Sequence, residues 1–310
     1  MVIFILGPTA SGKTRVSVEL AKEINGEIIG ADSVQIYRDL VIGAASPTLE
    51  EMEGVPHHLI GTHDLKDEIS AGIYADLALD AINDINSRGK VPIIVGGTNF
   101  YVDTLINGLS PVPELDDVAR KDYNDSLKLF STEELYTKLL ETDPLWAERI
   151  SSKNDRQRIR RGLEVFELTG KKLSEWNSLE RVKKYPGEFF SFAISSEREE
   201  LYEKINIRSK AIVKSGLVDE VRKVNSMGFN VLNCRPLNSI GYAQADLFIK
   251  GIIPSEDELV ETIAQNTRHL AKRQMTWLKK MDYVIWKDVC GIVKCVLETV
   301  QNRLQDVSKK

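Results

Sequence analysis

The chain alternates short, wholly apolar runs with longer amphipathic stretches. Val2-Ile-Phe-Ile-Leu6 has no polar position at all, the pattern of a central strand covered on both faces. Gly7 breaks the run, and apolar periodicity from about Thr14 to Ile24 predicts a helix. Glu27-Ile-Ile-Gly30 reads as a second strand. Ser70 is placed to cap a helix carrying Ile73, Leu77, Ala81 and Ile85 at near-helical spacing, with Gly89 as its stop signal. Val91-Pro-Ile-Ile-Val95 is a third strand ending in Gly96-Gly97. Strand, helix and strand of these lengths predict a parallel sheet with helices on both faces.

Past Pro111-Val-Pro113 the strand signal vanishes and helical periodicity takes over. Acids predominate from 114 to 146. From 153 to 184 the sign reverses, with ten Lys/Arg against five acids. Strand character returns at Phe189-Phe-Ser-Phe-Ala-Ile194. Ser255 with Glu258 predicts a capping box at the head of a long helix reaching about Lys280. Asp282-Tyr-Val-Ile-Trp286 looks like a closing strand. The expected division is a first part of the core at 1–113, a helical insertion at 114–188, and the rest of the core with C-terminal helices at 189–310.

Composition narrows the partners. The 310 residues carry a net charge of -5, so no global positive field announces a nucleic-acid binder, and such a partner must be met by local patches. Cys234, Cys290 and Cys295 are too few and too oddly counted for a disulfide framework and read as free thiols in a reducing compartment. No signal-type segment and no run of about 20 apolar residues is found. These features predict a cytoplasmic chain with no membrane association, and the lack of a repeated apolar stripe predicts a monomer.

Gly7-Pro8-Thr9-Ala10-Ser11-Gly12-Lys13-Thr14 fits the phosphate-loop pattern between a strand and a helix, as that pattern demands. Its backbone N–H groups and helix N-terminus suit a diphosphate, Lys13 reaches the outer phosphate oxygens, and the Thr14 hydroxyl suits Mg²⁺. The predicted fold is therefore α/β, a P-loop NTPase-like parallel-sheet core with an inserted helical domain. A kinase is the default owner of such a loop, yet the strand at 91–95 ends in Gly96-Gly97-Thr98 and not in a magnesium-binding acid. The acid best placed after a strand is Asp32, suited to act as a base on an incoming nucleophile or, alternatively, to cap a turn or stand behind a metal ion.

The phosphate loop, Asp32-Ser-Val-Gln-Ile-Tyr-Arg38, Pro56-His-His-Leu59, Gly96-Gly-Thr98 with Tyr101, Asn154-Asp-Arg-Gln-Arg-Ile-Arg-Arg161 and Thr267-Arg-His-Leu-Ala-Lys-Arg-Gln-Met-Thr-Trp277 occur in that order. Together they resemble the bacterial tRNA dimethylallyltransferase family, which prenylates N6 of adenosine-37 beside the anticodon. The resemblance implies that the loop residues Gly7 to Thr14 hold the diphosphate of dimethylallyl diphosphate and that Asp32 accepts the proton leaving N6. It further implies that Thr9, Lys13, Arg120 and a Mg²⁺ ion on Thr14 meet the charge of the departing pyrophosphate. Ser33, Val34, Gln35 and Thr98 would line the pocket for the target base of the tRNA anticodon stem-loop. Arg120, Gln157, Arg158, Ile159, Arg160, Arg161, Gly241 and Tyr242 would contact the tRNA, making the insertion a tRNA-binding domain.

The chain departs from the family pattern at Asn99-Phe100-Tyr101, where Gly-Leu-Tyr is usual after Gly-Gly-Thr. His57 and His58 read as loop residues or as partners in a hydrogen bond near the pocket, and the four tryptophans read as core. Three rivals stay open on the sequence: an adenylate isopentenyltransferase, a small-molecule kinase and a non-catalytic RNA-binding module.

Overall fold

The computed structural model describes residues 1–307, with side chains as far as Val300. Two compact units emerge among the described residues, 1–105 with 185–307 and 106–184. The boundaries thus fall at 106 and 184, against the 114 and 188 expected from composition.

The larger unit begins with β1 (Val2–Leu6), α1 (Lys13–Glu23), β2 (Gly26–Ala31), the short α2 (Leu49–Met52), β3 (His57–His58), α3 (Ala71–Ser87), β4 (Val91–Gly96) and α4 (Asn99–Asn107). The helical unit then contributes α5 (Asp117–Ser126), α6 (Thr132–Thr142), α7 (Pro144–Arg149), α8 (Arg156–Thr169) and α9 (Leu173–Trp176). The chain returns to the larger unit with β5 (Phe189–Ile194), α10 (Arg198–Lys214), α11 (Leu217–Ser226), α12 (Tyr242–Ile249), α13 (Glu256–Leu278), β6 (Val284–Lys287) and α14 (Val289–Val307).

The six strands are all parallel, in the order β3-β2-β4-β1-β5-β6. β1 lies between β4 and β5, with Ile3 opposite both Ile93 and Phe190. This explains its unbroken apolar run: Ile3 and Ile5 pack with Val16 and Leu20 of α1 and Ile292 and Val296 of α14. Phe4, of opposite parity, meets Phe189 edge-on at 5.7 Å. Ligand crevices in open parallel sheets lie beyond the carboxyl ends of the strands, where chain order reverses. Here that places the loops after β1, β2 and β4 together.

Three local expectations need correction. The buried face of α3 is Tyr74, Ala75, Ala78, Ile82 and Ile85, which leaves Ile73 45% exposed. Ser70 does cap this helix, accepting from Ile73 N; the small Ala75 and Ala78 set the face that lies on the sheet. His57 and His58 form a strand beside Ile28 and Ile29, not a loop, and His58 Nε2 lies 2.7 Å from Glu27. Ser255 accepts from Glu258 N, but only that one arm of the predicted capping box forms.

In the helical unit α8 lies close against its neighbours because Gly162 has no side chain; a Cβ there would meet Trp146 and Leu139 within 2.7 Å. Ile159 and Leu163 join Leu127, Leu135 and Leu139 in its core.

Candidate functional site

The loop after β1 turns through a left-handed Ala10 (φ 63°) and Gly12 (φ 90°) into α1. A side chain at Gly12 would be strained by that conformation, so glycine is required for the turn. Lys13 Nζ folds back over the loop, donating to Gly7 O at 3.1 Å and Pro8 O at 2.8 Å. Burial, reinforced by the Arg208 charge and opposed by Asp32, lowers its pKa to about 8. The buried Ser11 Oγ has no hydrogen-bond partner, so the loop retains an unsatisfied donor as well as its backbone amides. Thr9 N donates to Gln274 Oε1 at 2.9 Å, and Gln274 Nε2 donates to Gly97 O at 2.9 Å. One side chain of α13 therefore joins the loop after β1 to the loop after β4.

Asp32 follows β2 directly. Its Oδ1 accepts from Val34 N at 2.9 Å and Gln35 N at 3.2 Å, an Asx turn that fixes the carboxylate and leaves Oδ2 for a substrate. The neighbouring Ser33 N donates to Thr98 Oγ1 at 3.1 Å, so Thr98 braces this turn. Gln35 gives its amide hydrogens to Ala44 O and Ala45 O. These bonds fix the side chain and leave its Oε1 as the atom that can accept a hydrogen bond from a ligand.

A cavity of about 130 Å³ brings Thr9, Asp32, Val34 and Gly241 together with Ala44, Ala45, Arg208 and Gln274. Its apolar wall is Ile205, Ile212, Ile240, Ile263 and Leu270, supplied by α10, α13 and the turn before α12. Arg208 donates to Ala45 O at 3.1 Å. Burial lowers its pKa while the negative charge of Asp32 counteracts the fall.

The sequence reading missed Arg208, Gln274 and Glu220. Glu220 Oε2 accepts from Val41 N (3.0 Å) and Ile42 N (2.8 Å), and its Oε1 from Gly43 N (3.0 Å). These contacts hold the loop whose carbonyls receive Gln35 and Arg208. Two hints were present: Gln274 lies within the Thr267–Trp277 segment, and Tyr242, beside Gly241, meets Glu220. Tyr242 itself is corrected: it is 1% exposed, and its hydroxyl is enclosed between Glu220 and Ala44 N, so its side chain has no surface for RNA.

In the helical unit, Arg120 pairs with the buried Glu164 at 3.5 Å and Arg161 with the same carboxylate. Arg158 pairs with Asp155, and Arg160 Nε donates to Asn124 at 3.2 Å. Gln157 is exposed. Ile159 is 0% exposed and belongs to the core, so it is removed from the RNA-facing set; at helical spacing it is the inward side of the same basic helix.

Among the described residues no group of three His, Cys, Asp or Glu could hold a metal ion. Thr14, the second residue of α1, carries the hydroxyl of the phosphate loop that could join the shell of a Mg²⁺ ion brought by a phosphate-bearing ligand. No helix among the described residues is long and apolar enough to cross a membrane.

Residues 35–281 match the family described as IPP transferase. A tRNA dimethylallyltransferase of Geobacter metallireducens is 40% identical over 298 residues, covering 96% of each chain. The tRNA dimethylallyltransferase 1 of Syntrophotalea carbinolica is 38% identical over 97% of this chain and 95% of its own. Among solved structures, the full-length tRNA isopentenylpyrophosphate transferase of Bacillus halodurans is similar with a TM-score of 0.71, at 34% identity over 99% and 98% of the two chains. A eukaryotic dimethylallyltransferase acting on tRNA is similar with a TM-score of 0.76, at 30% identity, covering 93% of this chain and 73% of that one. With a family match across most of its length and the same α/β core, this chain belongs to the IPP transferase family.

Proposed function

We propose that the chain transfers the dimethylallyl group of dimethylallyl diphosphate to N6 of adenosine-37 in tRNA, releasing pyrophosphate. The observation that carries this reading is the shared cavity, whose lining combines the Asp32 carboxylate, Thr9 of the phosphate loop, the Arg208 cation and a set of aliphatic side chains. The five aliphatic side chains of that lining suit a five-carbon allylic group beside the phosphate loop.

In the reaction the N6 lone pair attacks C1 of the allylic group, the C1–O bond breaks, and its electrons leave with pyrophosphate. The proton lost from N6 passes to Asp32 Oδ2, whose partner oxygen is fixed by two backbone amides. Lys13, Arg208 and the loop amides meet the charge that develops on the leaving group, where fixed donors are most effective. Thr14 would help to hold a Mg²⁺ ion there, which would supply further neutralisation of that charge. Thr98 holds the Asp32 turn, and Ser33, Val34 and Gln35 Oε1 form the side on which the base enters.

The basic face of α8, with Gln157, Arg158, Arg160 and Arg161, and Arg120 of α5 provide phosphate contacts to the anticodon stem-loop. An unpaired loop presents a base that can turn out into the cavity. We place the protein in the cytoplasm as a monomer. Transfer of labelled dimethylallyl diphosphate to an anticodon stem-loop, with AMP and ATP as parallel acceptors, tests the reading; label in AMP alone would replace tRNA by a free nucleotide.

A further inference from the structure

We propose that Phe100 and Trp277 form a stacking platform for an unpaired base of the RNA substrate, a contact that rests on the tRNA reading above. The two rings meet edge-to-face with centroids 6.2 Å apart and planes at 63°. Phe100 is 47% and Trp277 39% exposed, which corrects the expectation that all four tryptophans are core. Two large aromatic side chains left half in water, and braced against each other, present ring surface without a large loss of side-chain freedom on binding.

Hydrogen bonds fix this pair to the site. Asn99 Nδ2, from the residue before Phe100, donates to Gln274 O at 3.1 Å, so α4 is tied to α13 just below the rings. Gln274, three residues before Trp277, accepts from Thr9 N of the phosphate loop. Thr98, two residues before Phe100, accepts from Ser33 N beside Asp32. The platform is therefore about one helical turn along α13 from the loop that holds the diphosphate.

Its surroundings select the partner. Arg273 lies one turn before Trp277 and on the same helical face, and Lys279 and Lys280 follow it; all three are exposed. None of these cations has a carboxylate partner among the described residues, in contrast to Arg268, which is engaged by Glu261 and Asn206. Between 268 and 280 there are five Lys/Arg and no acid. Exposed aromatic rings among unpaired cations are what a single-stranded nucleic acid requires, with bases on the rings and phosphates on the cations.

The test is binding of an anticodon stem-loop by the full chain, followed by fluorescence anisotropy, for wild type, Phe100→Ala and Trp277→Ala. Each variant should bind about tenfold more weakly, the loss typical of one removed stacking ring. The slope of affinity against salt should stay as in wild type, because no phosphate contact is removed. Abasic substitution along the loop should find one position whose loss weakens wild type by a similar factor and leaves Trp277→Ala unaffected. Unchanged affinity in both variants, or abasic penalties that are the same in wild type and Trp277→Ala at every position, would overturn the platform while tRNA binding stands. Failure of the wild type to bind the stem-loop at all would overturn the tRNA reading and the platform with it. Unchanged binding of dimethylallyl diphosphate by both variants serves as the check that they are folded.

Discussion

The hydroxyl of Tyr242 donates to Glu220 Oε1 at 2.7 Å, and the same hydroxyl accepts from Ala44 N at 3.1 Å. Around this pair, all four acceptor positions of the Glu220 carboxylate are taken, three by the backbone of residues 41–43 and one by Tyr242. Burial and the adjacent carboxylate raise the Tyr242 pKa, so the phenol remains a donor. Gly43 is needed here because a Cβ would lie 2.5 Å from the Tyr242 ring.

Glu220 is thus a positioning residue for Arg208 and Gln35, which both bind carbonyls of the loop it holds. Glu220→Gln must turn its amide donor toward backbone N–H groups. Its kcat/KM should fall about ten- to a hundredfold, the cost of displacing binding groups by about 1 Å. Tyr242→Phe, which keeps the carboxylate, should lose less. Steady-state kinetics with thermal unfolding as control decides; an active Glu220→Gln of wild-type kcat/KM would show that the loop holds its shape unaided.

Lys13 carries a pH signature. Its pKa of about 8 belongs to the ligand-free site, and a bound diphosphate favours the charged form and raises it. Above pH 8 binding must therefore take up a proton. Affinity for dimethylallyl diphosphate should weaken as pH rises from 8 toward 10, accompanied by proton uptake seen as a buffer-dependent calorimetric enthalpy. Lys13→Arg stays charged and should lose the proton uptake.

Much of this fold was legible because it is written locally. β1 and its phosphate loop occupy adjacent residues, and each declares itself: an apolar run, then glycines where the backbone turns left-handed. Asp32 was found for the same reason, as the first acid beyond a strand. Gln274, by contrast, reaches Thr9 across 265 residues, and Glu220 reaches Gly43 across 177. No periodicity marks such partners, since each sits on a helix whose polar residues read as solvent-facing until another element packs there. Ile159 and Tyr242 failed in the opposite sense: residues inside a basic or family motif were read as surface, whereas packing turned them inward.

The arginines of α8 are held before any RNA arrives, Arg161 by Glu164 and Arg160 by Asn124. Replacing both by alanine should weaken stem-loop binding and reduce the salt slope by about 1 to 2, in proportion to the phosphate contacts removed. Filter binding across a range of salt concentrations measures this. An unchanged slope would return that face to solvent.

Away from the site, the buried Glu27 accepts from Arg88 Nη2 at 2.7 Å and Lys90 at 2.6 Å and lies beside His58. The Arg88 hydrogen bonds, then those of Lys90 and His58, hold its carboxyl far below the usual range against the opposing effect of burial. Because the folded pKa is depressed, this stabilisation is fully present well above the unfolded value near 4.3 and is lost progressively as pH falls below that value toward the depressed folded one. Glu27→Gln should be less stable by about 2 kcal/mol at pH 7, given the strength of hydrogen bonds to a charged group and the partial exposure of its cations. The difference should shrink steadily toward pH 3 in urea titrations. A constant difference would assign the cost to packing.

The most direct measurement is single-turnover transfer of labelled dimethylallyl diphosphate to an anticodon stem-loop by wild type and Asp32→Ala. Wild type should label the RNA at adenosine N6 in a Mg²⁺-dependent reaction. Asp32→Ala should transfer about 10² to 10⁴-fold more slowly, the usual contribution of a positioned base, while binding the stem-loop within a few-fold of wild type. Equal rates, or loss of RNA binding in place of rate, would contradict the assignment of Asp32 as the group that takes the N6 proton.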